Sequence, residues 1–297
     1  MTDTHLDPTR KQTALLLFDA TDSNPNGDPD GGNAPRTDPE TGQGLVSDVS
    51  IKRKIRDTVP AAANGSADTG RFGIFVTAGT ALNANLRLAA EAVGRTAKGK
   101  GPKDAGNNLA KEAEQQAWLR EHYFDVRMFG GVLSTGDYPA GKLTGPLQVE
   151  WARSIDPVVP TEHTITRVAR TSEGDDPNTQ IGAKWMVPYG LYSTRLHYAP
   201  ADGGRAGVTG EDLAVLWRSL THMFDHTRSA SRANMGTCAL WVISHSHPLG
   251  NGTPRQISRA LSVRRKADLA VARNFDDYEV DLETASLPAG LDVTRLV

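Results

Sequence analysis

The stretch TALLLFDATDSNPNGDPDGGNAPRTDPETGQGLVSDVSIKRKIRD, residues 13–57, reads as a strand, a long turn and a helix in that order. TALLLFDA (13–20) is a short apolar run, which is the pattern of a buried strand. It stops at residues 22–38, which are crowded with Asn, Pro, Gly and Asp, the residues of turns. Ser47 suits a helix N-cap, and Asp48 follows in the first turn, where the helix dipole favours an acid. Val49, Ile51, Ile55 and Val59 supply apolar anchors for the helix, and Pro60 is expected to end it. Lys52 and Arg56 lie four apart on another face, with Arg53 three before Arg56. One face then holds the core while another offers cations to an anion. The free amides of residues 47–50 add donors suited to phosphate. A solvated basic face fits the same periodicity equally well.

Outward from this unit, residues 71–77 read as a second strand and residues 81–93 and 107–122 as helices. Between those helices lies RTAKGKGPKD, basic and without periodicity, a mobile electrostatic hook or a plain solvated loop. Residues 147–153 and parts of 185–198 alternate like strands, whereas 154–184 shows little periodicity and much Pro, Thr, Asp and Gly. A loop of that length inside a compact domain is usually functional or disordered. Thr209 is positioned to cap a helix reaching about residue 227. CALWVIS (238–244) is a strong strand signal, and 257–263 and 278–283 are weaker ones. Strands and helices interleave without a regular βαβ rhythm, so the expected class is α+β with large insertions and a ferredoxin-like core.

Composition narrows the function classes. A chain of 297 residues with 38% hydrophobic and 23% charged residues can bury a sizeable core and is not disordered. Cys238 is the single cysteine, so no internal disulfide is possible, which fits a cytoplasmic protein. No apolar run has the length of a membrane span, and the polar N-terminus is no secretory signal. The net charge of −2 argues against generic nucleic-acid binding, but the charges are segregated. Residues 19–40 hold six acids and one Arg, residues 255–273 six bases and one acid, and residues 275–297 six acids and one Arg. That permits a basic groove on a neutral protein, or acidic and basic faces that meet between copies. Ordinary surface scatter is the plain alternative.

Catalytic and metal-binding signatures are sparse. Asp22, Asn24, Asn26 and Gly27 have the spacing of a calcium loop, but its twelfth position is Asn33 rather than Glu and Pro25 intrudes, so a rigid turn is the better reading. His222 and His226 share a helix face without a third metal ligand. His245 and His247 lie beside a turn. No nucleophile elbow, P-loop or dinucleotide fingerprint is present. Phe129, Gly130 and Gly131 follow an expected strand, and their glycines allow a ligand or another backbone to come close. Arg167 and Arg170 lie on the irregular excursion, where guanidinium groups can wrap a nucleic acid or a neighbouring subunit.

Several of these runs resemble one family. NPNGDPDGGNAPRTDPETGQGLVSDVSIKRKIRD (24–57), RMFGGVLSTG (127–136), HTITRVAR (163–170) and SASRANMGTCALWVISHSHPLGN (229–251) look like the type I-C backbone subunit of the CRISPR Cascade complex, in the family's order. The resemblance implies a hand-shaped protein with a modified ferredoxin-like, RRM-type palm (about 13–59, 126–153 and 185–297), a helical finger insertion (about 60–125) and an extended thumb (about 154–184). It implies a non-catalytic subunit without cofactor or metal, in the cytoplasm. Its copies would stack head to tail along the guide RNA, beside other Cascade subunits, and leave the RNA open to pair with target DNA. RNA contacts would come from Asn24, Asn26, Arg36, Ser47, Ser50, Lys52, Arg53, Arg56, Phe129, Gly130, Gly131, Arg167 and Arg170, and DNA contacts from Lys98, Lys100 and Lys103. The paired stacking aromatics of an ordinary RRM are absent. The rival within the superfamily is a metal-dependent endoribonuclease using Asp28, Asp30 or Asp38.

Overall fold

The computed structural model describes residues 3–66, 68–97, 105–167 and 180–297. Strand β1 (Gln12–Ser23) runs through the middle of an eight-stranded antiparallel sheet. Its alternate residues Ala14, Leu16, Phe18 and Ala20 enter one core, and Leu15 and Leu17 enter another on the opposite face. Both faces are covered, so the strand is apolar throughout rather than alternating.

A small hairpin of β2 (Gly27–Asp28) and β3 (Ala34–Pro35) fills the turn before edge strand β4 (Gln43–Val46). Helix α1 (Asp48–Ala62) follows, with Ile51, Ile55 and Val59 fully buried. Val49 is 64% exposed rather than an anchor, because it lies about 200° around the helix from Ile51. Pro60 lies inside α1 and does not end it. Ala62 and Ala63 are buried beyond it, and their packing carries the last turn past the one amide that proline removes.

Residues 71–77 form no strand. A short turn and one bridge from Gly73 to Tyr123 hold them, and Asp125 accepts the amides of Phe75 (2.8 Å) and Val76 (3.1 Å). Their backbone is thus satisfied by a carboxylate instead of a sheet neighbour. Helices α2 (Leu82–Ala92), α3 (Ala105–His122) and α4 (Phe124–Phe129) and the hairpin of β5 (Gly130–Leu133) and β6 (Gly141–Thr144) surround a third core of Phe75, Leu86, Ala89, Leu119, Val126, Leu133, Ala140 and Leu143. Gly130 therefore follows a helix, not the expected strand.

The expected strand at 147–153 is two, β7 (Leu147–Val149) and β8 (Ala152–Pro157), both paired with β10 (Gln180–Tyr198). The excursion at 154–184 is also more regular than expected. Strand β9 (Thr161–Arg167) pairs with the first residues of β10 as an extended arm. Residues 162–166 are all exposed, so no buried face imposes an apolar period on them. Helix α5 (Pro200–Ala206) leads to α6 (Gly210–His226), which Thr209 and Asp212 cap reciprocally. Next comes β11 (Met235–His245).

The expected strand at 257–263 is a helix followed by a strand, α7 (Pro254–Ala260) and β12 (Leu261–Arg265). A Thr253–Gln256 capping box with Pro254 in the first turn starts that helix. β13 (Tyr278–Leu282) pairs with β12, and β14 (Leu291–Arg295) closes the sheet.

The sheet order is β14-β11-β1-β10-β8-β4. α1 and α6 pack on one face, and α7 with the β12–β13 hairpin covers the other. The result is a mixed α/β fold built on a large antiparallel sheet. A buried ion-pair group joins α6 to the third core. Asp212 binds the Arg127 guanidinium at 2.6 Å and Arg71 at 2.8 Å. Burial works to raise the Asp212 pKa, but the two guanidiniums outweigh it and hold the carboxyl below its ordinary range. Among the described residues no helix is long and apolar enough to cross a membrane.

Candidate nucleic-acid interface

The turn after β1 is tied to the start of α1. Asn26 Oδ1 accepts both the Ser47 amide (2.8 Å) and the Ser47 hydroxyl (2.9 Å), and Ser47 Oγ accepts the Ser50 amide at 3.3 Å. Asn24 Nδ2 donates to the Asn33 carbonyl at 2.7 Å, and Arg36 pairs with Asp28 at 3.2 Å. The buried Asn24 Oδ1 has no hydrogen-bond partner among the described residues. These side chains fix the helix N-terminus relative to the sheet.

On α1, each of the three cations named from sequence has a carboxylate. Lys52 binds Asp48 (2.9 Å), Arg53 binds Asp57 (2.8 Å) and Arg56 binds Asp125 (2.8 Å). The Phe129 ring lies under two of them, 5.8 Å from Lys52 Nζ and 5.1 Å from the Arg56 guanidinium. Arg53 is the most exposed, at 50%. The arrangement is a half-ordered cationic face, because a guanidinium held by one carboxylate retains further N–H donors. Exposed Val49 sits one turn before Arg53 on the same helix face.

Lys54, between these cations in sequence, has turned inward. Its Nζ lies 3.3 Å from Thr227 Oγ1 and 5.4 Å from the Phe224 ring centre. Burial first, and then Arg232, push its pKa down to about 8.

Gly130 has φ +68°, and a Cβ there would strike the Leu143 carbonyl and the Gly145 amide. The close approach at this glycine is to a second backbone. Gly131 is not confined in this way, since a Cβ would meet only the Leu133 side chain at 3.6 Å.

The sequence profile of the family described as "CRISPR-associated protein Cas7" matches residues 10–283, nearly the whole chain. The chain belongs to the Cas7 family. A curated relative from Haloferax volcanii, also described as "CRISPR-associated protein Cas7", is 32% identical over 198 residues, 60% of this chain. The match spans about half of that relative's length, 53%. A solved structure described as "CRISPR RNA-guided surveillance complex, pre-nicking" shares the fold, with a TM-score of 0.50 and 15% identity over 78% of each chain. Another, "CRISPR RNA-guided surveillance complex", has a TM-score of 0.43 at 16% identity over 78% of this chain and 68% of that one.

In this Cas7-family chain, the fold gathers Asn24, Asn26, Arg36, Ser47, Ser50, Lys52, Arg53, Arg56 and Phe129 around one helix and its entry turn. Arg167 ends β9 on the arm opposite Gln180, and its side chain lies outside what is described. Arg170, Lys98, Lys100 and Lys103 lie outside the described residues. Asp28 and Asp38 hold turns: Asp28 caps the turn at Asp30 and pairs with Arg36, and Asp38 accepts the Glu40 amide and pairs with Arg153 at 2.6 Å. Asp30 is exposed, as are His222 and His226 on α6. Among the described residues no three His, Cys, Asp or Glu side chains are placed to share a metal ion. Sequence reasoning passed over Asp125, the buried partner of Arg56. Its only sequence signal is an acid inside an apolar helical run, FDVRMF.

Proposed function

We propose that this Cas7-family chain is a guide-RNA-binding backbone subunit of a CRISPR surveillance complex of the type I-C kind. The observation that carries the reading is the α1 face, where Lys52, Arg53 and Arg56 are aligned beside a rigid turn and over Phe129. A phosphate backbone running along α1 meets cations already oriented by Asp48, Asp57 and Asp125, while Ser47, Ser50 and the turn asparagines set the helix end. Sequence readout is left to base pairing between guide RNA and target DNA.

In this reading the sheet with α1 and α6 is a ferredoxin-like palm, since β1, α1, β8, β10, α6 and β11 follow one another in the chain and take the order β11-β1-β10-β8 in space. The helices around the third core are the finger insertion, about residues 60–125, and the β9–β10 arm is the thumb, which reaches a neighbouring copy. Copies stack head to tail, a heterologous contact that extends rather than closes. Arg167 and Arg170 serve the RNA from the arm, and Lys98, Lys100 and Lys103 serve the target DNA. In this reading the subunit is non-catalytic: of the three acids suited to cleavage, Asp28 and Asp38 hold turns and pair with Arg36 and Arg153, and the exposed Asp30 belongs to no metal-ligand cluster among the described residues.

The test is RNA binding by the wild type and Lys52→Ala/Arg53→Ala, titrated over salt. Arg56 stays, because its loss would leave buried Asp125 without its cation. With about 0.7 in log–log slope per neutralised single-strand phosphate, the double variant should flatten the slope by about 1.4. Equal slopes would remove α1 from the RNA path.

A further inference from the structure

A second cationic surface lies on the opposite face of the sheet from α1. Its cations differ from those of α1 in having no partners. Arg255, Arg259, Arg264, Lys266 and Arg273 are exposed and make no ion pair or side-chain hydrogen bond among the described residues. Of the six bases in that segment, only Arg265 is tied, to Asp156 at 3.2 Å.

Lys266 and Arg273 come together because both backbones bind Asp277. The Lys266 amide donates to the Asp277 carbonyl at 3.0 Å, and the Arg273 amide to its carboxylate at 2.7 Å. Two of the nearby acids are already engaged. Asp277 also accepts the Asn274 amide, and Asp156 accepts the Tyr278 hydroxyl as well as Arg265. Glu279 and Asp281 alternate with the inward Tyr278, Val280 and Leu282 and face outward from β13, where Glu279 stands opposite Arg264 across the hairpin. Asp268 and Asp276 are exposed.

A cleft of about 320 Å³ opens at the root of the β9–β10 arm, its charged lining being Arg273 and the Arg265–Asp156 pair, with Lys266 next to Arg265 on the rim. Its mouth carries two exposed aliphatic side chains, Val159 at 71% and Val271 at 56%. Its wall includes Tyr189 and Tyr278, whose rings lie 6.5 Å apart. Exposed apolar side chains beside the unpaired Arg273 match the two halves of a nucleotide, a base face and a phosphate.

We propose that this cleft and its rim form a second single-stranded nucleic-acid contact, with a base against Val159 and Val271 and the backbone phosphate on Arg273, with Lys266 adding charge at the rim. Arg255 and Arg259 continue the charge along α7. The site sits where the arm leaves the sheet, so a strand guided by the arm passes it. The inference rests on the reading of this chain as a nucleic-acid binder, and it adds a track on the other face from α1.

The test measures anisotropy of labelled oligo(U) and oligo(dT) with the full chain, using Lys266→Glu/Arg273→Glu and, separately, the uncharged Val159→Ser/Val271→Ser. All four positions are exposed and outside the cores, so these variants should fold, which circular dichroism checks. Each is made in the wild type and in Lys52→Ala/Arg53→Ala. The charge reversal should weaken binding about tenfold and flatten the salt slope by about 1.4, by the same factor in both backgrounds. The valine variant should weaken binding without changing the slope. A larger loss with one oligonucleotide identifies the strand as RNA or DNA. Unchanged affinity in both charge-reversal proteins overturns the second track, leaves the α1 reading intact and assigns the cations to an acidic protein surface. A wild type that binds neither oligonucleotide overturns both.

Discussion

His245 ends β11 in a fully buried position between two partners. The Asn251 amide donates to its Nδ1 at 2.9 Å, so the proton of the neutral ring sits on Nε2 and points to Thr13 Oγ1 at 3.2 Å. Burial, followed by Lys11, Arg10 and His197, lowers its pKa from 6.5 to about 4. The unfolded chain therefore binds more protons than the folded one between about pH 6.5 and pH 4. Stability is present above that window and is lost as pH falls through it. A shift of this size corresponds to about 3 kcal/mol. Urea denaturation of the wild type and His245→Gln at pH 7 and near pH 4 should show that loss in the wild type only. Parallel losses in both proteins would place the acid sensitivity elsewhere. Nothing in the sequence separates His245 from His247, two residues on, because burial is a property of the sheet edge and not of the dipeptide.

Among the elements, the β5–β6 hairpin shows how local sequence and tertiary contact divide the work. The adjacent glycines 130 and 131 look alike in sequence, yet only Gly130 combines a positive φ with a facing backbone. Gly130→Ala should cost at least about 2 kcal/mol, from strain and backbone displacement, whereas Gly131→Ala should be nearly neutral. Hydrogen exchange across α2 and α3 checks this: faster exchange only in the first variant is expected, and equal exchange would refute the contact. Helix α6 was legible because Thr209 and Asp212 signal a cap within four residues. Helix α7 carried the same kind of signal, Thr253 with Gln256 behind Pro254, but the β-branched and apolar residues after it favoured a strand. The β9–β10 arm left no periodic trace, since a ribbon exposed on both faces has no core side to specify.

At the scale of the whole molecule, three cores must hold one arrangement, and the Arg127–Asp212–Arg71 group is the polar link between α6 and the third core. Arg127 also donates to the carbonyls of Arg120, Glu121 and Arg71, so its guanidinium serves several chain segments at once. Asp212→Asn leaves two guanidiniums without their carboxylate and should destabilise the protein by about 3–5 kcal/mol. Thermal unfolding followed by both circular dichroism and tryptophan fluorescence measures this. The transition of the variant should fall to lower temperature by both probes, and an unshifted one would deny the link. The same scale decides the α1 face. Arg56 is oriented by Asp125, which lies sixty-nine positions away in the chain.

By itself the sequence determined the buried central strand, the capped helices α1 and α6, the strand at β11 and the family, because each depends on residues close together in the chain or on a run long enough to be specific. Only the tertiary structure decided which acid holds Arg56, that Lys54 turns inward while Lys52 stays at the surface, that β1 is covered on both faces, and that the backbones of Lys266 and Arg273 share Asp277 near a cleft. Those outcomes depend on burial and on partners contributed by distant segments, and neither quantity exists until the sheet has brought the segments together.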